Sequence, residues 1–89
     1  MKSRVTDEYR SLYAKLPTRI QRQARQAYLH WQQDHRHPGL GFKRVGINPP
    51  VYSVRIGIGW RALGVMDQGS IIWFWIGPHA QYDHILAHL

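Results

Sequence analysis

The sequence predicts an α+β domain: an N-terminal helical hairpin packed on a mainly antiparallel four-stranded sheet, closed by a short C-terminal helix. Three observations carry this. Apolar residues in the first third recur at helical spacing, Tyr9, Leu12, Tyr13 and Leu16 first, then Ile20, Ala24, Ala27, Tyr28 and Trp31. Beyond Pro38-Gly39 the period changes from 3.6 to 2. Finally, Ile71-Ile-Trp-Phe-Trp-Ile76 is an uncharged block with aromatic side chains facing both ways, the pattern of a strand buried on both faces.

The elements follow in order. Residues 2–5 could form a short first strand, but the pattern is too brief to count it among the four. Thr6 suits an N-cap, with Asp7 and Glu8 placed favourably in the first turn against the helix dipole. Pro17 interrupts this helix, and Thr18-Arg-Ile-Gln21 reads as a capping box opening a second one that ends near Asp34. So short a connection implies a helical hairpin laid on one face of the sheet. Phe42–Val45 is the first strand of the four, followed by a Gly46–Pro50 loop. In the next, Tyr52, Val54, Ile56 and Ile58 point one way while Ser53, Arg55 and Gly57 point the other. Gly59 permits a tight turn or a bulge before Trp60–Met66 returns, and Asp67-Gln-Gly69-Ser supplies a short hairpin turn. Ile71–Ile76 completes the sheet, Gly77-Pro78 breaks it, and Ala80–Leu89 is the last helix.

Composition narrows the function. At 89 residues the chain is one small domain spanning 1–89, near the size at which a single core barely sustains itself. Its 12 Lys and Arg against 5 acids leave a net charge of +7, which favours an anionic partner. No apolar run approaches the roughly 20 residues needed to span a membrane, and no membrane partner is expected. Thr6, Asp7 and Glu8 occupy the place where the apolar core of a signal peptide would lie, so the cytoplasm is the expected compartment. The absence of cysteine excludes a disulfide framework, a thiolate nucleophile and a thiolate metal site.

The titratable residues at the strand ends suggest phosphate chemistry. Arg55, opposite the Tyr52/Val54/Ile56 stripe, is either a solvated cation on an open sheet face or a phosphate clamp, since guanidinium binds phosphate through two parallel hydrogen bonds. Simple alternation groups Arg61 with Leu63 and Val65 on a face that could be core, whereas a bulge at Gly57–Gly59 would turn it outward. His79, where the last strand meets the last helix, is a candidate general acid or base, because an imidazole of pKa about 6.5 exchanges protons at neutral pH. Asp83, four residues on, could orient its ring. Tyr82 could stack on a base or belong to the core of the last helix. Lys43 and Arg44 add to whichever basic surface is used. The arginines of the second helix, Arg19, Arg22 and Arg25, read first as a solvated face. His84 and His88 share a helix face but lack the glutamate of a zinc-protease helix, and His35 and His37 have no evident third ligand. No metal and no cofactor is expected.

Taken together, Leu16-Pro-x-x-Ile20-Gln-x-x-Ala24, His37-Pro-Gly-Leu40-x-Phe-Lys43, Tyr52-Ser-Val-Arg55-Ile-Gly, Trp60-Arg61-Ala-Leu-Gly and Trp75-Ile-Gly-x-His79-Ala-x-Tyr82-Asp83 resemble the RelE/ParE superfamily of bacterial toxins. The resemblance covers nearly the whole chain in order, and the His-Ala-x-Tyr-Asp ending looks most like the HigB-type members. It implies a cognate antitoxin protein that wraps the toxin. It also implies a metal-independent endoribonuclease acting on mRNA, usually in the ribosome, through 2′-hydroxyl attack on the adjacent phosphate. On that resemblance Arg55 and Arg61 are phosphate clamps, Lys43 an auxiliary cation, His79 the acid or base, and Tyr82 a stacking or orienting residue. Departures from the pattern exist: several superfamily nucleases carry an arginine near the position of His79 and more than one catalytic lysine. ParE-like members share the fold and basic surface but poison DNA gyrase, and a toxin-derived module that only binds is a third possibility.

Overall fold

The computed structural model describes residues 1–89. Its elements are β1 (Lys2–Val5), α1 (Asp7–Ala14), α2 (Thr18–Gln33), β2 (Lys43–Gly46), β3 (Val51–Ile56), β4 (Trp60–Asp67), β5 (Ser70–Pro78) and α3 (His79–Leu86). The architecture is α+β as expected, but the sheet has five strands, ordered β1-β5-β4-β3-β2. The additional strand is Lys2–Val5, which pairs parallel with β5, Lys2 opposite Ser70 and Val5 opposite Trp73. Four residues carry too little periodicity to announce a strand, and this one is specified by a partner near the other end of the chain.

The helical hairpin forms for reasons partly different from those expected. Thr6 does cap α1, its hydroxyl oxygen accepting the Tyr9 N–H at 3.1 Å. The capping box of α2 does not form, and Pro17 is the N-cap with no side-chain bond. Gln21 instead donates to the Tyr13 carbonyl at 3.0 Å, while the Tyr13 hydroxyl donates to the Gln21 carbonyl at 3.2 Å. The connection is short enough that the Gln21 side chain reaches the last carbonyls of α1. α2 buries Ile20, Ala24 and Trp31 against the sheet. There Trp31 meets Phe42 and Trp73 edge-on, with ring centroids 5.7 and 5.5 Å away.

Both sheet faces are covered, although unequally. Val54, Ile56, Ala62, Ile71, Trp73 and Ile76 pack under α1 and α2 in the larger core. On the other face Val51, Leu63 and Tyr82 form a smaller cluster, with Val45, Phe74, Trp75, Ile85 and Leu86 around it. α3 therefore lies on the face opposite the hairpin, correcting the expectation that the helices share one face. A strand as apolar as β5 needs cover on both sides.

The register decides where Arg61 points. From Val51 opposite Val65 to Ile56 opposite Trp60, β3 and β4 pair without a shift, so no bulge turns the chain at Gly57–Gly59. The bulge lies instead between β4 and β5, where Leu63 faces Trp75 but Gly64 faces Trp73, leaving Phe74 as the extra residue. This change of parity puts Ile71, Trp73 and Ile76 on one face. The Asp67–Ser70 turn has positive φ at both Gln68 (49°) and Gly69 (79°), the backbone of a two-residue hairpin loop. β5 also runs through Gly77 and Pro78, which pair with Arg61 and Trp60. Pro78 is tolerated because β1 ends opposite Trp73, so no ladder donor is needed on that edge. β2 and α3 each begin one residue away from their expected starts, at Lys43 and His79.

Candidate functional site

The register brings three cations to the α3 face. Arg55 lies directly opposite Arg61, and Lys43 opposite Ser53, which shares the face of Arg55 two residues along β3. Arg61 is thus on the face that alternation assigned it, and that face is core only where α3 covers it. Its guanidinium donates to the Trp60 carbonyl at 2.7 Å and to the Ile58 carbonyl at 3.3 Å, and its Cζ sits 5.9 Å from the centroid of the Tyr82 ring. Both bonds are made by Nη1, so Nε and Nη2 have no hydrogen-bond partner. Arg55 extends beside Gly41, whose backbone it approaches so closely that a Cβ there would lie 3.0 Å from Nε. Arg55 and Lys43 are exposed.

Arg44 is not brought to this face. It pairs with Tyr52, on the hairpin side, and its guanidinium donates to the Gly46 and Ile47 carbonyls at 3.1 and 2.8 Å. Adjacent strand residues point to opposite sides, so Lys43 and Arg44 could not both join the Arg55/Arg61 pair.

His79 opens α3, its backbone N–H donating to the Gly59 carbonyl at 2.8 Å, which ties the helix start to the β3–β4 turn. Its ring Nδ1 is 3.0 Å from Asp83 Oδ2, one helical turn on. A carboxylate on Nδ1 fixes the tautomer with the proton there and leaves Nε2 as the basic nitrogen. The imidazole side chain is 46% exposed, so that nitrogen is open to a ligand. Rings of His79 and Tyr82 have centroids 5.7 Å apart, so the imidazole and the Arg61 guanidinium are neighbours of one tyrosine.

Tyr82 itself is 5% exposed, and its hydroxyl donates to Ser53 Oγ at 3.1 Å. It belongs to the core that seats α3 on the sheet. Ser53, at 2% exposure, was not singled out in the sequence, where a serine alternating with apolar residues looks like solvent-facing strand. Only the pairing of α3 with β3 reveals it. Tyr82→Phe leaves that buried hydroxyl without its partner, and a loss of about 1–3 kcal/mol is expected. At about 4–8 °C per kcal/mol for so small a domain, calorimetry should show a clearly lower Tm; an unchanged Tm would mean the bond contributes nothing.

A groove of about 850 Å³ lies elsewhere, between β1 and the hairpin, lined by Tyr9, Tyr13, Tyr28, Arg4, Arg10 and Arg25 among others. Burial, reinforced by Tyr13 and Tyr28, pushes the Tyr9 phenol up to about 12. Arg25, expected as part of a solvated stripe, donates to the Tyr13 hydroxyl at 3.0 Å and forms part of this wall. The groove contains none of Lys43, Arg55, Arg61 and His79.

The fold that carries these residues is a five-stranded sheet with a helical hairpin on one face and a short helix on the other. Solved structures share it. An archaeal RelE–RelB complex from Pyrococcus horikoshii OT3 is similar at a TM-score of 0.70 and 12% identity, over 90% of this chain and 96% of that one. A RelB–RelE antitoxin–toxin complex from Methanococcus jannaschii is similar at 0.70 and 15% identity, over 90% and 95%. The isolated E. coli RelE toxin is similar at 0.66 and 12% identity, over 99% and 98%. No curated protein sequence matches the chain. The profile of the ParE-like toxin domain matches residues 18–84, and the chain belongs to that family. No helix is long and apolar enough to cross a membrane.

Proposed function

We propose that this chain is the toxin of a bacterial type II toxin–antitoxin system and acts as a metal-independent endoribonuclease on mRNA, in association with the ribosome. The observation that carries it is the Arg55–Arg61 pair facing across β3 and β4 beside an imidazole whose Nδ1 is held by Asp83. In-line phosphoryl transfer asks for charge stabilisation and a proton carrier, and little else from the protein. Nε2 of His79 takes the proton of a ribose 2′-hydroxyl as that oxygen attacks the adjacent phosphorus. The bond to the 5′-oxygen breaks, the leaving oxygen takes up a proton from solvent water, and a 2′,3′-cyclic phosphate remains. Arg55 and Arg61 hold the phosphate oxygens as charge gathers on them, and Lys43 guides the strand. Tyr82 orients α3 and the Arg61 guanidinium.

The partner is a cognate antitoxin, as in the RelE–RelB complexes, and it neutralises the toxin by setting acidic residues against Arg55 and Arg61. The cytoplasm, where mRNA and ribosomes are, is its compartment. The ParE-like family assignment favours a second reading, a non-nuclease that inhibits DNA gyrase, in which His79 and Asp83 only cap and stiffen α3.

Induced expression, alone and with the antitoxin, tests the proposal when mRNA 5′ ends and DNA supercoiling are followed in parallel. Growth arrest with new 5′ ends, relieved by the antitoxin, is expected. Arrest with altered supercoiling and intact mRNA selects the gyrase reading, and normal growth with soluble protein sinks both. Arg55→Ala should weaken RNA binding and flatten its salt dependence by about one counterion, since one phosphate contact is lost. An unchanged slope in titrations at several salt concentrations removes Arg55 from the interface.

A further inference from the structure

The phosphate-holding face has no aromatic platform in Tyr82, which is sealed in the core with its hydroxyl spent on Ser53. Another aromatic residue of the same face is differently placed. Trp75 stands opposite Leu63, and Gly77, two residues on, stands opposite Arg61. Both therefore share the face of Arg61 and Arg55, with Trp75 about 7 Å along the strand from the Arg61 rung. The indole lies across Gly77: a Cβ added there would fall 2.6 Å from Trp75 Cζ2 and 3.0 Å from Cη2. Gly77 is thus the seat on which the ring rests, and the ring leans toward the Arg61 end of the strand.

Trp75 also differs from the two tryptophans of the main core. Trp31 and Trp73 are 1% and 4% exposed, and their indole nitrogens are buried without a partner. Trp75 packs against the Val51/Leu63/Tyr82 cluster but stays partly exposed, and its Nε1 is not among the buried unpartnered atoms. A partly exposed aromatic ring next to an unopposed guanidinium pair combines the two parts of a single-stranded nucleic-acid site: a stacking platform and cations that track the backbone. The only acid near by, Asp83, is taken up by His79.

We propose that Trp75 is a substrate-binding residue that stacks on the nucleobase next to the phosphate held by Arg55 and Arg61, favouring a purine there because its larger ring covers more of the indole. The proposal rests on the nuclease reading, and the experiment separates the two. Short RNAs made uncleavable by a 2′-deoxy substitution at the scissile position, carrying each of the four bases beside it, are titrated against the parent, Trp75→Leu, Trp75→Phe and Arg55→Ala. Trp75→Leu is expected to bind about tenfold more weakly, within the range of one lost base stack. Its purine preference should vanish and its salt slope should stay that of the parent, because no phosphate contact is removed. Trp75→Phe should restore most of the affinity. RNA binding should also quench tryptophan emission in the parent and much less in Trp75→Phe, a readout independent of any loss of packing in the leucine variant. If Arg55→Ala weakens binding while both Trp75 variants bind and discriminate as the parent does, Trp75 is not the platform and the nuclease reading stands. If the parent binds no RNA, that reading falls and this proposal with it.

Discussion

His79→Ala is expected to slow RNA cleavage by about 10²-fold or more, the usual scale for loss of a general acid or base. RNA affinity should change little, because attraction to the backbone resides in Arg55, Arg61 and Lys43. The fold should survive the change: the contact that anchors the start of α3 is the backbone N–H of residue 79 to the Gly59 carbonyl, which alanine retains. Asp83→Asn should give a smaller loss, since an amide can still meet Nδ1 but no longer stabilises the imidazolium that forms when Nε2 takes a proton. Single-turnover cleavage and a thermal melt of each variant are the measurements. A folded His79→Ala protein that cleaves and arrests growth like the parent would remove His79 from the mechanism.

Trp31→Ala is expected to lower stability by about 3–5 kcal/mol, the range for deleting a large aromatic from a packed core. Trp31 is 1% exposed and touches Phe42, Trp73 and Tyr28, so the site cannot collapse without moving all three. In a domain whose whole stability is about 5–15 kcal/mol, such a loss unfolds a substantial share of the molecules at growth temperature. Trp31→Phe should be far milder, since it keeps most of the ring and removes an indole nitrogen that has no partner. Denaturant midpoints decide it, and equal midpoints for parent and alanine variant would contradict the placement of Trp31 at the centre of the core.

What could be read in advance followed from periodicity. The apolar stripes of α1 and α2, the alternation of β3 and the doubly buried block of β5 each repeat over enough residues to identify an element. The fold class and the opposite-facing Arg55 and Tyr52/Val54/Ile56 sets came from them. What could not be read was set by pairing at long range. β1 has no pattern of its own, the bulge at Phe74 arises from two strands meeting, and α3 goes to the far face because β5 must be covered there. The candidate site divides in the same way. His79 and Asp83 are a helix turn apart and visible as a pair, whereas Arg61 required the register of β3 and β4 to be known. Tyr82 needed Ser53, a residue that looks solvent-facing in the strand, and which of Lys43 and Arg44 joins the Arg55 face was set by the pairing of β2 with β3.

The parallel pairing of Lys2 with Ser70 sets a timetable for synthesis. The first strand to leave the ribosome joins the last strand made, and the tryptophan of that last strand, Trp73, is the floor on which α2 packs. The hairpin therefore emerges with its apolar side uncovered, and loop closure across nearly the whole chain precedes a finished sheet. Arg61 acquires Gly77 as its strand neighbour, and α3 its seat, at the same late moment. A chain ended between β4 and β5 therefore carries Lys43, Arg55 and Arg61 but lacks the strand and the helix that align them.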